Sequence, residues 1–268
     1  MTKIALISGA NKGIGFEIAR GLHAAGVTVL IGSRSAERGA AAVAAVLADS
    51  GPAAGLGVVA GSGMAVPSGG IDTVPGVAEV RTLALDVTDP ASIAAAVAEI
   101  EARYGVLDIL VNNAGVLVVD GSGAPSETTV ETMRTVYETN VFGVVAMTNA
   151  MLPLLRAAPA ARIVNVSSDL GSLTWALDPA HPYWQARLLA YSSSKTALNM
   201  VTANYAKELW DTPIKVNAAN PGYCATDLNA HSGWRTPEQG AQIAIRLALL
   251  DADGPTGAFL EDAGTLPW

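Results

Sequence analysis

The chain has 268 residues, half of them hydrophobic and only 15% charged, which is enough apolar surface for a large core and fits one α/β domain over 1–268 better than two. A formal net charge of -8, with no run of Lys or Arg and no long uncharged apolar segment, argues against nucleic acid and membrane as partners. The lone Cys224 and the scattered His23, His181 and His231 offer neither a disulfide nor a metal site, and fit a reducing cytoplasm.

In chain order, short β-branched runs alternate with helical patterns. Ile4–Ser8 is followed by a helix over Ile14–Ala25, Val27–Ile31 by Ala36–Asp49, and Val80–Leu85 by Ser92–Tyr104. Leu107–Val111 then leads into one long helix over Glu127–Arg156. Arg162–Val166, a helix over Tyr191–Trp210, Ile214–Asn217, a helix near Pro237–Leu250 and a final strand at Ala258–Leu260 complete the series. This alternation predicts βαβ units, hence a Rossmann-type doubly wound parallel sheet of about seven strands with helices on both faces. Gly51 to Gly76 breaks the rhythm with a Gly-, Ala- and Pro-rich stretch that lacks Lys and Arg. Because it follows a helix, it is expected as a surface insertion at the amino edge of the sheet, away from the carboxyl edge where ligands bind.

Directly after the first strand stands Ser8-Gly9-Ala10-Asn11-Lys12-Gly13-Ile14-Gly15, opening into a helix. Glycines there let the backbone turn tightly and approach a pyrophosphate, whose charge sits against the free N–H groups of the helix N-terminus. An NAD site would end the second strand in an acid that holds the ribose 2′-hydroxyl, but this strand ends Ile31-Gly32-Ser33-Arg34. Arg34, together with Lys12, offers charge-assisted bonds to a 2′-phosphate instead, so NADP (NADPH) is favoured.

Tyr191 and Lys195 are four apart in a helical stretch and share a face. A phenol with a pKa of about 10 is a poor acid/base near neutrality, and a cation within about 4–6 Å stabilises its phenolate. Upstream, Arg162–Val166 reads as a buried strand running into Ser167-Ser168, which delivers a hydroxyl to the carboxyl edge. Asn140, polar within an apolar helical stretch, is placed to bind a water beneath Lys195 or to satisfy a helix backbone. Two loops follow strands at that edge, Asp169 to Ala190 and Tyr223 to Arg235. Leu173, Trp175, Leu177, Tyr183 and Trp184 in the first would give an apolar or aromatic substrate pocket, or pack on the protein body or a subunit contact. Cys224, with no base beside it, reads as a small buried residue.

Five motifs in order make nearly the whole chain, Gly51 to Gly76 excepted, resemble the single-domain short-chain dehydrogenase/reductase family. They are the Gly9/Gly13/Gly15 loop, Asp86-Val87, Asn112-Asn113-Ala114-Gly115, Ser168 with Tyr191 and Lys195, and Pro221-Gly222. Its opening SGANKGIGFEIAR and closing PTGAFLEDAGTLPW look most like the NADPH-dependent carbonyl reductases. The resemblance implies that the loop residues Gly9 to Gly15 (Asn11, Lys12 and Ile14 included), Pro221 and Gly222 bind the cofactor. Asp86 and Val87 would contact its adenine, Asn112, Ala114 and Gly115 would lie under it, and Thr226 would stand near the carboxamide. It also implies a catalytic tetrad of Asn140, Ser168 (rather than Ser167), Tyr191 and Lys195. In the implied reaction Ser168 steadies the oxyanion of a ketone, aldehyde or quinone and Tyr191 donates the proton, reversal being alcohol oxidation. Similar family members often pair through the helices at Glu127–Arg156 and Tyr191–Trp210, so a homo-oligomer is open. A catalytically silent NADP sensor is the competing reading, and an intact Tyr191/Lys195 pair disfavours it.

Overall fold

The computed structural model describes residues 2–49 and 78–268, so the expected insertion at Gly51 to Gly76 lies outside the described residues. The first βαβ unit is β1 (Ile4–Ser8), α1 (Gly13–Ala24) and β2 (Thr28–Ser33), continued by α2 (Ala36–Asp49), β3 (Val80–Ala84) and α3 (Pro90–Tyr104). The second half runs β4 (Ile109–Asn112), α4 (Val130–Tyr137), α5 (Gly143–Ala157), β5 (Arg162–Val166), α6 (Leu173–Ala176) and α7 (Leu189–Glu208). It closes with β6 (Lys215–Ala219), α8 (Pro237–Ala248), β7 (Phe259–Glu261) and β8 (Gly264–Thr265).

Among the described residues the strands form one sheet in the order β3-β2-β1-β4-β5-β6-β7-β8. All neighbours are parallel except β7 and β8, a two-residue antiparallel strand that raises the expected count by one. Every residue of β1, β2, β4 and β5 is buried, as strands covered on both faces require. One core cluster joins the sheet to α3 and α5 through Ile93, Ile100, Met147 and Leu155. The other joins it to α1 and α8 through Ile18, Leu22, Ile243 and Leu247. β1 pairs with β2 on one side and β4 on the other, so the strand order reverses direction at the end of β1. That switch point opens a crevice at the carboxyl edge.

The continuous helix expected over Glu127–Arg156 is interrupted. Between α4 and α5 the residues Glu138–Phe142 form one π turn. Two tertiary contacts lie at or beside it. The Asn140 amide exchanges a pair of hydrogen bonds with the Val116 backbone, and Gly143 lies so close to Val87, in the loop after β3, that a Cβ would meet its carbonyl oxygen at 3.0 Å. Such π bulges occur frequently at functional sites. By length and composition the run Val130–Ala157 is apolar enough to cross a membrane, which the sequence reading did not anticipate, and half of its most apolar window is buried inside the protein.

Candidate active site

At the end of β1 the chain turns through Gly9 and Gly13, both left-handed at φ 64° and 59°, a conformation that L side chains rarely adopt. Gly15 admits no side chain, since a Cβ would stand 2.8 Å from Gly9 O and 3.0 Å from Ala10 Cα. Lys12 at the N-cap of α1 makes no side-chain cap bond, which leaves the N–H groups of the first helical turn without a side-chain acceptor there. The cradle is braced from β4: Asn113 Nδ2 donates to Ser8 O (2.9 Å) and Gly9 O (3.2 Å), and Ser8 Oγ accepts from the N–H groups of Asn113 and Ala114, both at 3.0 Å. A Cβ added to Gly9 would meet Ala114 Cα at 3.1 Å, so loop and strand end touch.

Asn112 ends β4 as a buried residue. Its Nδ2 is spent inside the protein on Asn165 Oδ1 (2.9 Å) and Thr148 Oγ1 (3.2 Å) of α5, so its side chain faces the core. Successive strand residues point to opposite faces, and the residue that ties the glycine loop is therefore Asn113. Lys12 and Arg34 have separate carboxylate neighbours here. Lys12 forms an ion pair with Asp227, whereas Arg34, exposed just beyond β2, acts electrostatically on Asp86. Burial works upward on the Asp86 carboxyl, but hydrogen bonds from the Thr88 N–H (3.0 Å) and hydroxyl (2.8 Å), with the Arg34 charge, hold it below the usual carboxylate range. Val87 is buried beside it. Asn11 and Ile14 flank the glycine turn, each half-buried. Opposite, Gly222 is left-handed at φ 70°, Pro221 O accepts from Cys224 Sγ at 3.3 Å, and Thr226 Cγ2 lies 3.6 Å from where a Gly13 Cβ would be. Burial pushes the Cys224 thiol up to about 11, the inert residue expected.

Ser167 and Ser168 separate by the same alternation. Ser167 Oγ donates to Asn199 Oδ1 at 2.5 Å and is buried, while Ser168 stands on the Tyr191 side, close enough to lower the pKa of its hydroxyl. Helix α7 begins at Leu189, two residues before the expected start, and sets Lys195 Nζ 5.5 Å from the centre of the Tyr191 ring. Burial pushes the Tyr191 hydroxyl up, more than Ser168 lowers it, and the Asp169 charge adds to the rise. Burial also pulls Lys195 down to about 8, although its ammonium donates to Val166 O at 2.8 Å. Asn140 Nδ2 donates to Ser194 Oγ (3.0 Å) as well as to Val116 O, so its side chain satisfies a loop rather than a helix backbone. Gly115 closes the group, with Lys195 Nζ 3.8 Å and Asn140 Oδ1 3.5 Å from where its Cβ would be.

Sequence reasoning missed three features. Asp169, beside Ser168, accepts from the Ser168 hydroxyl (3.1 Å) and the Leu170 N–H (2.9 Å). The rings of the two carboxyl-edge loops join into one seam: Trp175 stacks on His181 (4.7 Å), His181 meets Tyr183 (5.4 Å), Tyr183 stacks on Trp234 (5.8 Å, 11°) and Tyr223 packs edge-on to Trp234 (5.1 Å). Leu173, Leu177 and Trp184, expected with them, are instead exposed. Asn220, the third, accepts from the Asp169 and Gly222 N–H groups at 3.1 and 3.2 Å and so links both loops.

The short chain dehydrogenase family model matches residues 3–59 and 72–235. A short-chain dehydrogenase of Penicillium roqueforti (strain FM164) is 35% identical over 98% of this chain and 95% of its own length. Salutaridine reductase of Papaver bracteatum is 29% identical over 97% and 94%. Among solved structures, the NADPH-bound carbonyl reductase from chicken fatty liver superposes with a TM-score of 0.77 at 26% identity, covering 100% of this chain and 99% of that one. The chain belongs to the short-chain dehydrogenase family. It is accordingly an oxidoreductase that interconverts alcohol and carbonyl groups.

Proposed function

We propose that this protein is an NADPH-dependent reductase of ketones, aldehydes or quinones, with one domain carrying cofactor and catalytic residues and Tyr191 as its proton donor. The observation that carries the reading is the convergence of Tyr191, Ser168 and Lys195 at the carboxyl edge, with Lys195 Nζ 5.5 Å from the Tyr191 ring and Ser168 near enough to the Tyr191 hydroxyl to work downward on it.

The residues present fit a dinucleotide. The Gly9–Gly15 turn leaves room for phosphate only because no Cβ stands there, and the uncapped α1 N-terminus supplies donors and a positive dipole end. Asp86 and Val87 would hold the adenine end, Ala114 and Gly115 the floor, and Pro221, Gly222 and Thr226 the far wall. Arg34 stands exposed where β2 ends without a carboxylate, which suits a 2′-phosphate, and Lys12 can join it only by leaving Asp227. The NADPH held by the chicken relative supports the same choice.

Such a cofactor supplies the hydride when bound. The protein's own part is electrostatic and protonic. Ser168 donates to the substrate oxygen as negative charge develops on it. Tyr191, kept protonated by burial, passes its hydroxyl proton to that oxygen. Lys195, held by Val166 O, stabilises the phenolate left behind. Asn140 fixes Val116 and Ser194 around them, and its π turn departs from regular helical hydrogen bonding next to the site. The ring seam from Trp175 to Trp234 favours flat, apolar carbonyl compounds, and a reducing cytoplasm suits the cofactor and the unpaired Cys224.

The test follows NADPH oxidation at 340 nm against a panel of cyclic ketones, aromatic aldehydes and quinones, with NADH in parallel. Turnover of at least one member with NADPH, abolished in Tyr191→Phe, is the expected result. Cofactor binding with no turnover across the panel would favour the silent sensor instead. Arg34→Asp removes the cation and places a carboxylate near the 2′ position. Losing a charge-assisted phosphate bond and gaining repulsion is expected to lower the kcat/KM ratio of NADPH to NADH by about 100-fold. An unchanged ratio removes Arg34 from cofactor choice.

A further inference from the structure

Lys12 stands in the turn between β1 and α1, and Asp227 opens the single helical turn Asp227–Asn229 beyond β6, 215 residues further along the chain. Their ion pair therefore bridges the crevice, from the glycine loop to its far wall. The walls come together beside it, where Thr226 Cγ2 lies 3.6 Å from where a Gly13 Cβ would be.

The turn that carries Asp227 is tightly bonded. The Thr226 N–H donates to Asn229 Oδ1 and the Asn229 N–H to Thr226 O, both at 3.2 Å. Asn229 Nδ2 donates to Cys224 O (2.8 Å), and the His231 N–H to Thr226 O (2.9 Å). Ala230 and His231 are both left-handed, at φ 51° and 60°, a strained backbone for residues with a Cβ that persists where surrounding bonds over-determine it. His231 Nε2 lies 2.9 Å from Asp227 Oδ1, while Lys12 takes Oδ2. The turn thus presents a carboxylate at a set place, and the ammonium, on its flexible four-carbon stem, comes to it. Lys12 above all, and His231 after it, hold the Asp227 carboxyl below the usual carboxylate range, so it is charged near neutrality.

In the NADPH reading of this crevice, Lys12 and Arg34 are the cations for the 2′-phosphate, and they are not equally free. Arg34 is the weakest of the influences on Asp86, whereas Lys12 is in direct contact with Asp227. A phosphate monoester carries a charge of about −1.5 to −2 near neutrality, more than a carboxylate, and draws Lys12 away on arrival. What the new bond contributes is reduced by the bond to Asp227 that breaks. NADH has no 2′-phosphate, and its binding leaves the Lys12–Asp227 pair in place.

We propose that Asp227 is a specificity-determining residue for the cofactor that acts by positioning Lys12: holding the ammonium on the far wall weakens NADPH binding selectively and narrows the preference for NADPH over NADH. This rests on the NADPH reading of the same crevice. An acid that merely repelled an anionic cofactor would weaken both nucleotides alike, with or without Lys12.

The experiment is isothermal titration calorimetry of the full chain with NADP+ and NAD+, and with adenosine 2′,5′-bisphosphate and 5′-AMP as probes that lack the nicotinamide. In Asp227→Asn the ratio of NADP+ to NAD+ affinity is expected to rise about threefold to fivefold, the upper range for one exposed ion pair, with NAD+ affinity within about twofold of wild type. The two adenosine probes show the same rise, and so does Asp227→Ser. Combining Asp227→Asn with Lys12→Met closes a double-mutant cycle, and in the Lys12→Met background the change at 227 leaves the ratio within about 1.5-fold. An unmoved or lowered ratio in Asp227→Asn overturns the inference, as does an equal tightening of both nucleotides or a rise that persists without Lys12. A wild type that prefers NAD+ but shows the Lys12-dependent rise keeps the Asp227 role and defeats the NADPH reading. A wild type that prefers NADP+, with no response to change at 227, does the reverse.

Discussion

Tyr191→Phe is expected to lower kcat for carbonyl reduction by about 1,000-fold, the loss typical of removing a positioned general acid. The change is a clean one for this site. Tyr191 is 9% exposed, so Phe occupies the same packed volume, and the only group lost is the hydroxyl near Ser168. Ser168 is not orphaned by the loss, because Asp169 Oδ1 still takes its proton and Leu170 N–H still donates to it. The variant should therefore melt within about 2 °C of wild type, since no buried polar group is left unsatisfied. Its NADPH affinity should stay within about threefold, because the Gly9–Gly15 cradle and its Asn113 brace are untouched. Steady-state assays, cofactor fluorescence titration and thermal denaturation of one preparation check all three. A variant that kept more than a tenth of wild-type kcat would remove Tyr191 from proton transfer, whatever its cofactor affinity.

How much of this site is legible in the sequence depends on whether local rules govern each residue. Gly9, Gly13 and Gly15 are readable because a turn between a strand and a helix needs glycine's backbone freedom, and the structure places them there. Tyr191 and Lys195 are readable because helical spacing alone puts them on one face. Strand parity separates Ser168 from Ser167, and Asn113 from Asn112 in the same way. Other features depend on partners far away in the chain. The π turn at Asn140 lies where the Asn140 amide bonds the distant Val116 backbone and Gly143 stands against Val87, and nothing in the apolar pattern of 127–156 announces an extra residue in one turn. Lys12 is drawn to Asp227 across the crevice, and Tyr183 to Trp234 between two loops, so neither pairing has a local signal. The short strand β8 is two residues long, below the length at which alternation can be detected.

Lys195→Met should separate activity from stability in opposite directions. A buried ammonium is costly, and burial brings Lys195 from an ordinary 10.5 to about 8, which corresponds to roughly 3 kcal/mol of folding free energy lost while the group is charged in both states. The sign follows from proton counts. Between about pH 8 and 10.5 the unfolded chain binds more protons at this position than the folded one, so this group's contribution to stability rises with pH across that window and is lowest below it. Met fills the same space without the charge, but it leaves Val166 O without its 2.8 Å donor, a loss of about 1–3 kcal/mol. The variant is thus expected to gain up to about 2 kcal/mol on wild type at pH 7 and to lose that advantage by pH 10, where the wild-type lysine is neutral in the fold. Over the same range kcat should be at least about 100-fold below wild type, because the phenolate left by proton donation loses its nearest cation. Urea denaturation at pH 7 and pH 10, alongside turnover, checks both. If the stability difference between variant and wild type is the same at the two pH values, Lys195 is not depressed by burial. If kcat is retained, the phenolate is stabilised by something other than Lys195.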